Sequence, residues 1–354
     1  MRIFTKNREV CALMPSAYRF RPGQGLDSLE EFSLIPRDIK PHEVRVAVKK
    51  VSLNYRDVLI YRGEYPAPAD RPIVPCSDGA GIVLEVGSAV SDVFALGDPV
   101  VGAFFSRWQD GPPSREKVEL SVGCNVDGWL AQEVIVPADS LVRIPLGVSF
   151  SSAACAPCAG VTAWIAIVEL ARLVRGQTVL IQGTGGVSMW AAQLAKAMGL
   201  KVVLITSNER KAELLTNTSL GTINYRNNPT WSHEVQRLTN GHGADLVLEL
   251  GGNSTIRESL RSVAFGGHVA VIGGLGGWSY DNVEYLELIT KLVTVHGIYV
   301  GSARSLIDLL DFSAKNFLVP YVSANFTYRD AQSAFRELEA GSHVGKIIIS
   351  VNPD

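Results

Sequence analysis

The chain has few cysteines, almost no net charge and no apolar segment at its start. Its 354 residues include 5 cysteines, and 33 Lys and Arg against 35 Asp and Glu give a formal charge of −2. The odd, small number of cysteines argues against a secreted disulfide scaffold. The near-neutral charge argues against nucleic acid or a membrane surface as partners. The first residues, MRIFTKNREVCALMP, carry scattered charges and lack a signal-peptide core, so we expect a cytoplasmic protein.

Charged residues are also missing from one internal stretch, Ile144 to Val168, which is long enough to cross a bilayer. Pro145, Pro157 and several glycines and serines lie within it, and they would interrupt a continuous apolar helix. We therefore expect a loop that leads into a buried helix from Val161 to Leu173, and no membrane span.

Cysteine chemistry is limited to one close pair, Cys155 and Cys158 in the sequence CAPC. A C-x-x-C pair at a helix start can lower a thiol pKa and support redox exchange, so a thiol-redox protein stays open as an alternative. The surrounding alanine-rich run lacks a thioredoxin-type pattern. This context favours cysteines that act as small buried hydrophobes.

The composition changes near residue 150. Before it, short β-rich runs separated by Gly, Pro and Asp predict a small β-barrel-like domain. After it, short apolar runs alternate with amphipathic segments, which predicts an α/β fold with a doubly wound parallel sheet. The runs before residue 150 are 44–53, 80–87, 98–105 and 130–137, and those after it are 178–182, 202–206, 222–224, 245–250, 268–272 and 293–298. The tail adds predicted helices at 303–316 and 330–340 and a strand at 346–351.

A glycine-rich turn, GTGGVS, follows the run at 178–182. Gly183, Gly185 and Gly186 stand between a strand and a helix, where backbone N–H groups and the positive end of the helix can approach a pyrophosphate. Ser188 takes the sixth position of the G-x-G-x-x-G pattern, and a small serine is compatible with close packing of helix on strand. The turn therefore predicts a dinucleotide site.

The end of the next strand indicates which dinucleotide binds. NAD sites usually place an acidic residue there to hold the ribose hydroxyls. This chain has Thr206 and Ser207 at that place, and Arg210 and Lys211 follow. Hydroxyls and two cations suit a 2′-phosphate, so we predict NADP(H). Glu209 is the one opposing charge, and a solvated basic helix start is the alternative interpretation.

Several motifs in this order resemble the medium-chain dehydrogenases/reductases, and within them the zinc-independent quinone oxidoreductase branch with its zinc-type alcohol dehydrogenase-like members. The resemblance implies a GroES-like catalytic domain from residues 1–150 and 301–354, a Rossmann domain from 151–300, NADPH in the cleft and a homodimer. The motifs are SLNYRDVLIYRGEYP (52–66), DGAGIVLEVGSAV (78–90), GDPVV (97–101), CAGVTAW (158–164), GTGGVS (183–188), INYR (223–226) and GSHVGKIII (341–349).

Zinc-dependent relatives of this family carry metal ligands at places where this chain has other residues. Asn54 and Tyr55 stand where a cysteine is expected, and Ser77 stands where a histidine is expected. Only Cys155 lies near the place of the third ligand, whereas a catalytic zinc needs three protein ligands. Cys124 is alone where relatives have a four-cysteine lobe. We therefore predict no metal.

Without a metal, the chemistry rests on hydride from NADPH, with the protein supplying orientation and a polar environment. A quinone, an enone or another activated alkene or carbonyl suits this chemistry, because hydrogen-bond donors can stabilise the oxyanion that forms. Asn54, Tyr55 and Tyr65 are the catalytic candidates. By resemblance, Tyr65 matches the proton donor of related 2-enoyl reductases, and a buried, satisfied tyrosine is the alternative. Asp57 is predicted to hold the loop.

The resemblance also implies a set of cofactor contacts around the glycine turn, the 2′-phosphate and the nicotinamide. A protein that binds NADPH without catalysis remains an alternative function. The implied cofactor-binding residues are Gly183, Thr184, Gly185, Gly186, Val187, Ser207, Arg210, Lys211, Tyr225, Gly273, Gly274, Leu275, Ile298, Tyr299 and Lys346.

Overall fold

A computed structural model of the chain describes residues 14–208, 219–279 and 285–352. The strands are β1 Ser16–Arg19, β2 Glu30–Ser33, β3 Glu43–Ser52, β4 Asp78–Val86, β5 Pro99–Gly102, β6 Glu133–Pro137, β7 Leu141–Arg143, β8 Thr178–Gln182, β9 Lys201–Thr206, β10 Ser219–Asn224, β11 Ala244–Glu249, β12 Val263–Val271, β13 Thr294–Gly297, β14 Val322–Thr327 and β15 Lys346–Ser350. The α-helices are α1 Tyr55–Arg62, α2 Arg115–Val118, α3 Phe150–Ala154, α4 Val161–Trp164, α5 Gly186–Met198, α6 Ser232–Leu238, α7 Ile256–Ser262, α8 Tyr285–Thr290, α9 Ala303–Asn316 and α10 Ala331–Ala340.

The first part of the chain forms a sheet that the last strands complete. Its order is β14-β15-β3-β4-β5-β7, and β6 also pairs with β3. Strand β15 runs antiparallel to β3, with Ile349 opposite Val51. Side chains of β3 alternate between buried and partly exposed, and its buried valines pack in one core with Trp129. Strands β14 and β15 of the tail therefore complete the first sheet.

The middle of the chain forms a six-stranded parallel sheet in the order β10-β9-β8-β11-β12-β13. The strand order reverses between β8 and β11, which is the switch point where open α/β sheets bind ligands. Every residue of β8 is buried, as expected for a strand covered on both faces. The predicted doubly wound Rossmann fold is confirmed.

The element bounds match the predictions most closely where periodicity is strong. Helix α9 has the predicted bounds, whereas β5 is shorter than the predicted run 98–105. The predicted helix from 161 is α-helical only through α4 and continues as a π-helical segment, Ile165–Leu170. A second π-helical segment, Ala156–Gly160, precedes it and includes Pro157, which has no amide hydrogen to donate. Among the described residues, no helix combines the length and apolarity needed to span a membrane.

The two sheets meet at the glycine turn. Gly345, just before β15, pairs with Gly185 as an isolated bridge, and its amide donates to the carbonyl of Thr184 at 2.8 Å. The start of β15 is thereby fixed against the dinucleotide turn, and the side chain of Lys346 enters the space between the sheets.

Candidate active site

The turn between β8 and α5 has the backbone geometry of a phosphate cradle. Gly183 has φ of +71°, a conformation that side chains other than glycine rarely adopt. A Cβ on Gly183 or Gly185 would meet no atom of the described residues within 4 Å, which leaves space for a ligand beside both glycines. Ser188 is buried, and its hydroxyl donates to the carbonyl of Gln182 at 2.7 Å. The serine thus fastens α5 to β8 at the position that the pattern reserves for a third glycine.

Four of the other predicted cofactor residues follow the carboxyl ends of strands in the parallel sheet. Ser207 follows β9, Tyr225 follows β10, Gly273 follows β12 and Ile298 follows β13. The amide of Tyr225 donates to Thr206 O at 3.2 Å, and that of Ile298 donates to Val271 O at 2.9 Å. Because these ends share one edge of the sheet, the turn and these residues surround one cleft.

The remaining predicted contacts differ in their placement. Thr184 is buried, Val187 is half-buried, and Leu275 has an exposed side chain beside Gly274. Arg210 and Lys211, the residues predicted to pair with a 2′-phosphate, lie outside the described residues. Their role stays a prediction.

A buried carboxylate under the cleft was missed by the sequence analysis. Oε1 of Glu249, at the end of β11, accepts from the amides of Gly251 and Gly252 at 2.8 and 2.9 Å and from Thr255 Oγ1 at 2.5 Å. Its Oε2 accepts from Gln182 Nε2 at 2.9 Å and from Ser259. These bonds hold the turn after β11, whose Gly251 carbonyl accepts from Gly276. The signal available in sequence was only an acid at a strand end before two glycines.

Asn54 and Lys346 are joined in the space between the sheets. Lys346 is 3% exposed, and its Nζ donates to Asn54 Oδ1 at 2.5 Å and to Leu53 O at 2.6 Å. Its stem crosses Gly186 so closely that a Cβ there would lie 2.7 Å from Lys346 Cδ. The ammonium group is thus hydrogen-bonded to the segment that follows β3. A direct contact between Lys346 and a dinucleotide stays a prediction.

The hydrogen bonds of Asn54 continue to the buried side chains of Ser77 and Asp78 and from there to the amide of Cys158. Asn54 Nδ2 donates to Ser77 Oγ at 3.3 Å, and Ser77 Oγ donates to Asp78 Oδ1 at 2.7 Å. Asp78 Oδ2 accepts from the amide of Cys158 at 3.4 Å and lies 3.8 Å from Lys346 Nζ. A fixed ammonium group therefore provides the positive charge of this cluster.

This donor set does not fit a catalytic zinc. An amide, a hydroxyl and one carboxylate surround an ammonium group, whereas zinc sites use three His, Cys or carboxylate ligands. Burial raises the pKa of Cys158 to about 12, so its thiol stays protonated. Within the described ranges, no three His, Cys, Asp or Glu side chains lie close enough to share a metal ion.

The same pKa shifts bear on the thiol-redox alternative. Burial raises the pKa of Cys155 to about 11 as well, with the Lys346 ammonium opposing the shift. Redox-active cysteines need a lowered thiol pKa, and this pair has raised ones. The Cys155 and Cys158 pair therefore lacks the thiolate character on which disulfide exchange depends.

Tyr65 meets Tyr299 across the cleft. Their hydroxyl oxygens are 2.8 Å apart. The ring of Tyr299 packs edge-on against Phe104 and Phe105, with centroid distances of 6.1 and 4.9 Å. Burial raises the pKa of Tyr65 above its ordinary value, with the Arg56 cation opposing this, so Tyr65 is a protonated phenol at neutral pH.

Arg56 supplies a second buried cation, which the sequence analysis did not single out. Its guanidinium lies 4.3 Å from the centroid of the Phe104 ring and 5.7 Å from that of Tyr65, and its Nη2 donates to Val122 O. Its Nε and Nη1 have no hydrogen-bond partner among the described residues. A positive charge therefore stands beside the Tyr65 phenol.

The other candidates on α1 have different surroundings. Tyr55 is 38% exposed and acts electrostatically on Tyr61 and Arg62, and its catalytic role stays a prediction. Asp57 is buried, and its Oδ2 accepts from the amide of Asn54 at 2.9 Å. This bond agrees with the predicted structural role of Asp57, because the carboxylate holds Asn54, the residue that caps the start of α1.

Two family models match the chain over the regions just described. Residues 40–146 match the alcohol dehydrogenase GroES-like domain, and residues 186–315 match the zinc-binding dehydrogenase model. The first match lies in the completed sheet, and the second covers α5 through most of α9. The models thus correspond to the two halves of the cleft.

Individual proteins match over nearly the whole length. The zinc-type alcohol dehydrogenase-like protein of Schizosaccharomyces pombe is 34% identical over 93% of this chain and 96% of its own. The quinone oxidoreductase-like protein 2 homologue of Nematostella vectensis is 28% identical over 87% and 81%. The acryloyl-coenzyme A reductase of Sulfurisphaera tokodaii is 26% identical over 93% and 97%. A crystal structure of an NAD-dependent alcohol dehydrogenase superposes with a TM-score of 0.85, 29% identity and coverage of 95% and 100%.

Proposed function

The chain belongs to the medium-chain dehydrogenase/reductase family and is an oxidoreductase, and from this premise we propose that it uses NADPH to reduce a quinone, an enone or another activated alkene or carbonyl compound without zinc. The observation that carries the proposal is the pair of hydroxyls of Tyr65 and Tyr299 at the cleft. A bound nicotinamide would supply a hydride to the conjugated carbon of such a substrate. The hydroxyls are donors for the oxygen on which negative charge then develops.

The relatives support this substrate class at a coarse level. One is named a quinone oxidoreductase-like protein and another an acryloyl-coenzyme A reductase, and acryloyl groups are activated alkenes. The wall of the cleft around Tyr299 is aromatic, with Phe104, Phe105 and Tyr299 in edge contacts. A flat conjugated substrate suits such a wall.

The choice of NADPH over NADH is supported by residues rather than by relatives. The strand end carries Thr206 and Ser207 in place of an acid, and Thr206 Oγ1 accepts from the amide of Asn208 at 3.2 Å. This bond closes a turn directly before Arg210 and Lys211. Two cations after such a turn favour a 2′-phosphate.

Independence from zinc is supported by Lys346. Its ammonium group already supplies the cation between Asn54 and Asp78, at 2.5 and 3.8 Å. A second cation at this place would be repelled by it. The role of Asn54 in the proposed reaction is to keep this group fixed beside the glycine turn.

The experiment that tests the function is NADPH consumption with a panel of quinones, enones and α,β-unsaturated thioesters. We expect turnover with at least one class, and slower turnover with NADH at equal concentration. Binding of NADPH with no oxidation by any compound would instead support the alternative of a non-catalytic NADPH-binding protein. The panel separates the two because binding alone consumes no nucleotide.

A further inference from the structure

The hydroxyls of Tyr65 and Tyr299 come from distant parts of the chain and differ in their exposure to solvent. Tyr65 follows α1 and is half-buried, whereas Tyr299 follows β13 and is 45% exposed. The 2.8 Å between their oxygens is a hydrogen-bond distance at which either can donate. Tyr299 thus connects the inner phenol to the solvent side of the cleft.

A half-buried phenol that gives up a proton needs to regain it quickly. Burial disfavours the phenolate of Tyr65, and this raises its pKa. The Arg56 cation, 5.7 Å from the ring centroid, partly offsets that penalty. Among the described residues, the groups that shift the pKa of Tyr65 are Arg56, Tyr299 and Cys124, and none of these three is a carboxylate that could return a proton.

We propose that Tyr299 returns to Tyr65 the proton that Tyr65 gives to the reduced substrate, so that the two phenols form a proton relay from solvent. This inference rests on the proposed function. Bound NADPH would supply the hydride that forms the C–H bond at the electrophilic carbon, with the conjugated electron pair moving to oxygen and NADP⁺ left behind. The Oη–H bond of Tyr65 breaks as the enolate takes its proton, the proton of Tyr299 passes to Tyr65, and water reprotonates Tyr299.

The packing of Tyr299 makes the hydroxyl separable from the ring. Its edge contacts with Phe104 and Phe105 involve the ring alone. Tyr299→Phe therefore removes the relay oxygen and keeps the aromatic wall. Tyr321→Phe is the matched control, because Tyr321 is a similarly exposed tyrosine, 39% against 45%, and phenylalanine keeps the backbone oxygen that accepts from the Lys346 amide.

The first measurement is steady-state kinetics with one enone at neutral pH. We expect Tyr299→Phe to lower kcat by ~10-fold, less than the ~10²- to 10⁴-fold typical of a direct proton donor, because water can partly replace the lost hydroxyl. The KM for NADPH should stay the same, and Tyr321→Phe should behave as the wild type. Tyr65→Phe should lower kcat further than Tyr299→Phe.

Isotope effects distinguish a relay from a merely structural role. If proton return becomes limiting in Tyr299→Phe, the D₂O effect on kcat rises and the effect of 4-deuterated NADPH falls relative to wild type. A hydroxyl that only positioned the nicotinamide would leave the D₂O effect unchanged and would raise the KM for NADPH. That second pattern would overturn the relay.

A measurement without nucleotide tests the bond itself. In urea unfolding of Tyr65→Phe, Tyr299→Phe and the double variant, the losses should be non-additive, because either single change already removes the shared bond. Additive losses would contradict the pair. Unchanged kcat in Tyr299→Phe beside an impaired Tyr65→Phe would overturn the relay and leave the function standing, whereas a wild type inactive on the whole panel would overturn both.

Discussion

At the scale of single residues, the cleft is controlled by a few charges whose surroundings differ sharply. Lys346 and Arg56 are cations in buried positions, one bonded to Asn54 and one stacked on Phe104. Asp57 is a buried acid beside Arg56. Buried charges are sensitive to the loss of a single partner, so single substitutions here are informative.

Under the proposed function, the choice of NADPH over NADH depends most directly on Lys211. We expect Lys211→Ala to weaken NADPH binding by roughly tenfold or more, since a charge-assisted bond contributes about 1.5–3 kcal/mol, and to leave NADH nearly unchanged. Titration by nucleotide fluorescence measures both affinities. Equal wild-type affinities for the two nucleotides would refute the assignment, and Lys315→Ala, on α9, is the control.

The contribution of Asp57 to the free energy of unfolding is expected to fall as the pH rises. Burial raises its pKa to about 6, with the Arg56 cation opposing this. The folded state therefore disfavours ionisation that occurs freely in the unfolded chain above pH 4, and the contribution of Asp57 to stability is lost as pH rises from about 4 to 6.

We expect Asp57→Asn to become more stable relative to wild type over that interval, by at most roughly 3 kcal/mol, because the amide never ionises and can still accept from the Asn54 amide. Urea unfolding at pH 4, 5, 6 and 7 measures the difference. A difference that does not change with pH would show that Asp57 ionises normally when folded.

At the scale of elements, the floor of the cleft depends on how strand ends are joined to the turns that follow them. The carboxylate of Glu249 binds the turn after β11 and Gln182 at the end of β8. The turn after β11 in turn holds Gly276 near the predicted nicotinamide position. The Glu249 side chain thus helps to position the end of β8, the turn after β11 and the segment that contains Gly276.

Glu249→Gln tests this relation. The new amide would direct N–H groups at donors of Gln182 or Thr255, so we expect a loss of about 1–3 kcal/mol in the free energy of unfolding and weaker NADPH binding. Denaturant unfolding and nucleotide titration are the measurements. Glu234→Gln, which breaks only an exposed pair with Arg237, should change neither. Equal effects of the two variants would refute the structural role of Glu249.

At the scale of the whole molecule, the buried lysine between the two sheets bears on the metal content of the protein. The lysine-centred cluster between the sheets predicts that the purified protein holds well below one zinc per chain and keeps its activity in chelator. Elemental analysis and assay after chelation test this. Stoichiometric zinc, with activity lost on its removal, would contradict the proposal, whereas traces at Cys155 and Cys158 would not.

We also propose that the chain forms a homodimer through the edge of the parallel sheet. Strand β13 lies at that edge, and exposed apolar side chains surround it, among them Val295, Ile289 and Leu292. An exposed apolar edge favours pairing with a second copy. Light scattering should give twice the chain mass, and Ile289→Asp should shift it toward the monomer while Leu146→Asp should not. A monomeric wild type would end the proposal.

Features that are local along the chain could be predicted from the residues alone. Buried parallel strands are continuous apolar runs, and a phosphate turn needs glycines at fixed spacing, so β8, its turn and the doubly wound sheet were predictable. The bounds of α9 were predictable for the same reason, since its apolar face repeats at helical spacing.

The contacts between distant side chains could not be predicted, because they depend on how the strands pair and how the two sheets pack together. Asn54 and Lys346 are 292 residues apart, Tyr65 and Tyr299 are 234 apart, and Gln182 and Glu249 are 67 apart. No periodicity relates such pairs, because their distance depends on how β15 closes the first sheet and on how β13 ends beside Phe104. The same physical cause left Arg56 unnoticed: a cation in a short motif becomes chemically distinctive only when packing buries it against aromatic rings such as Phe104.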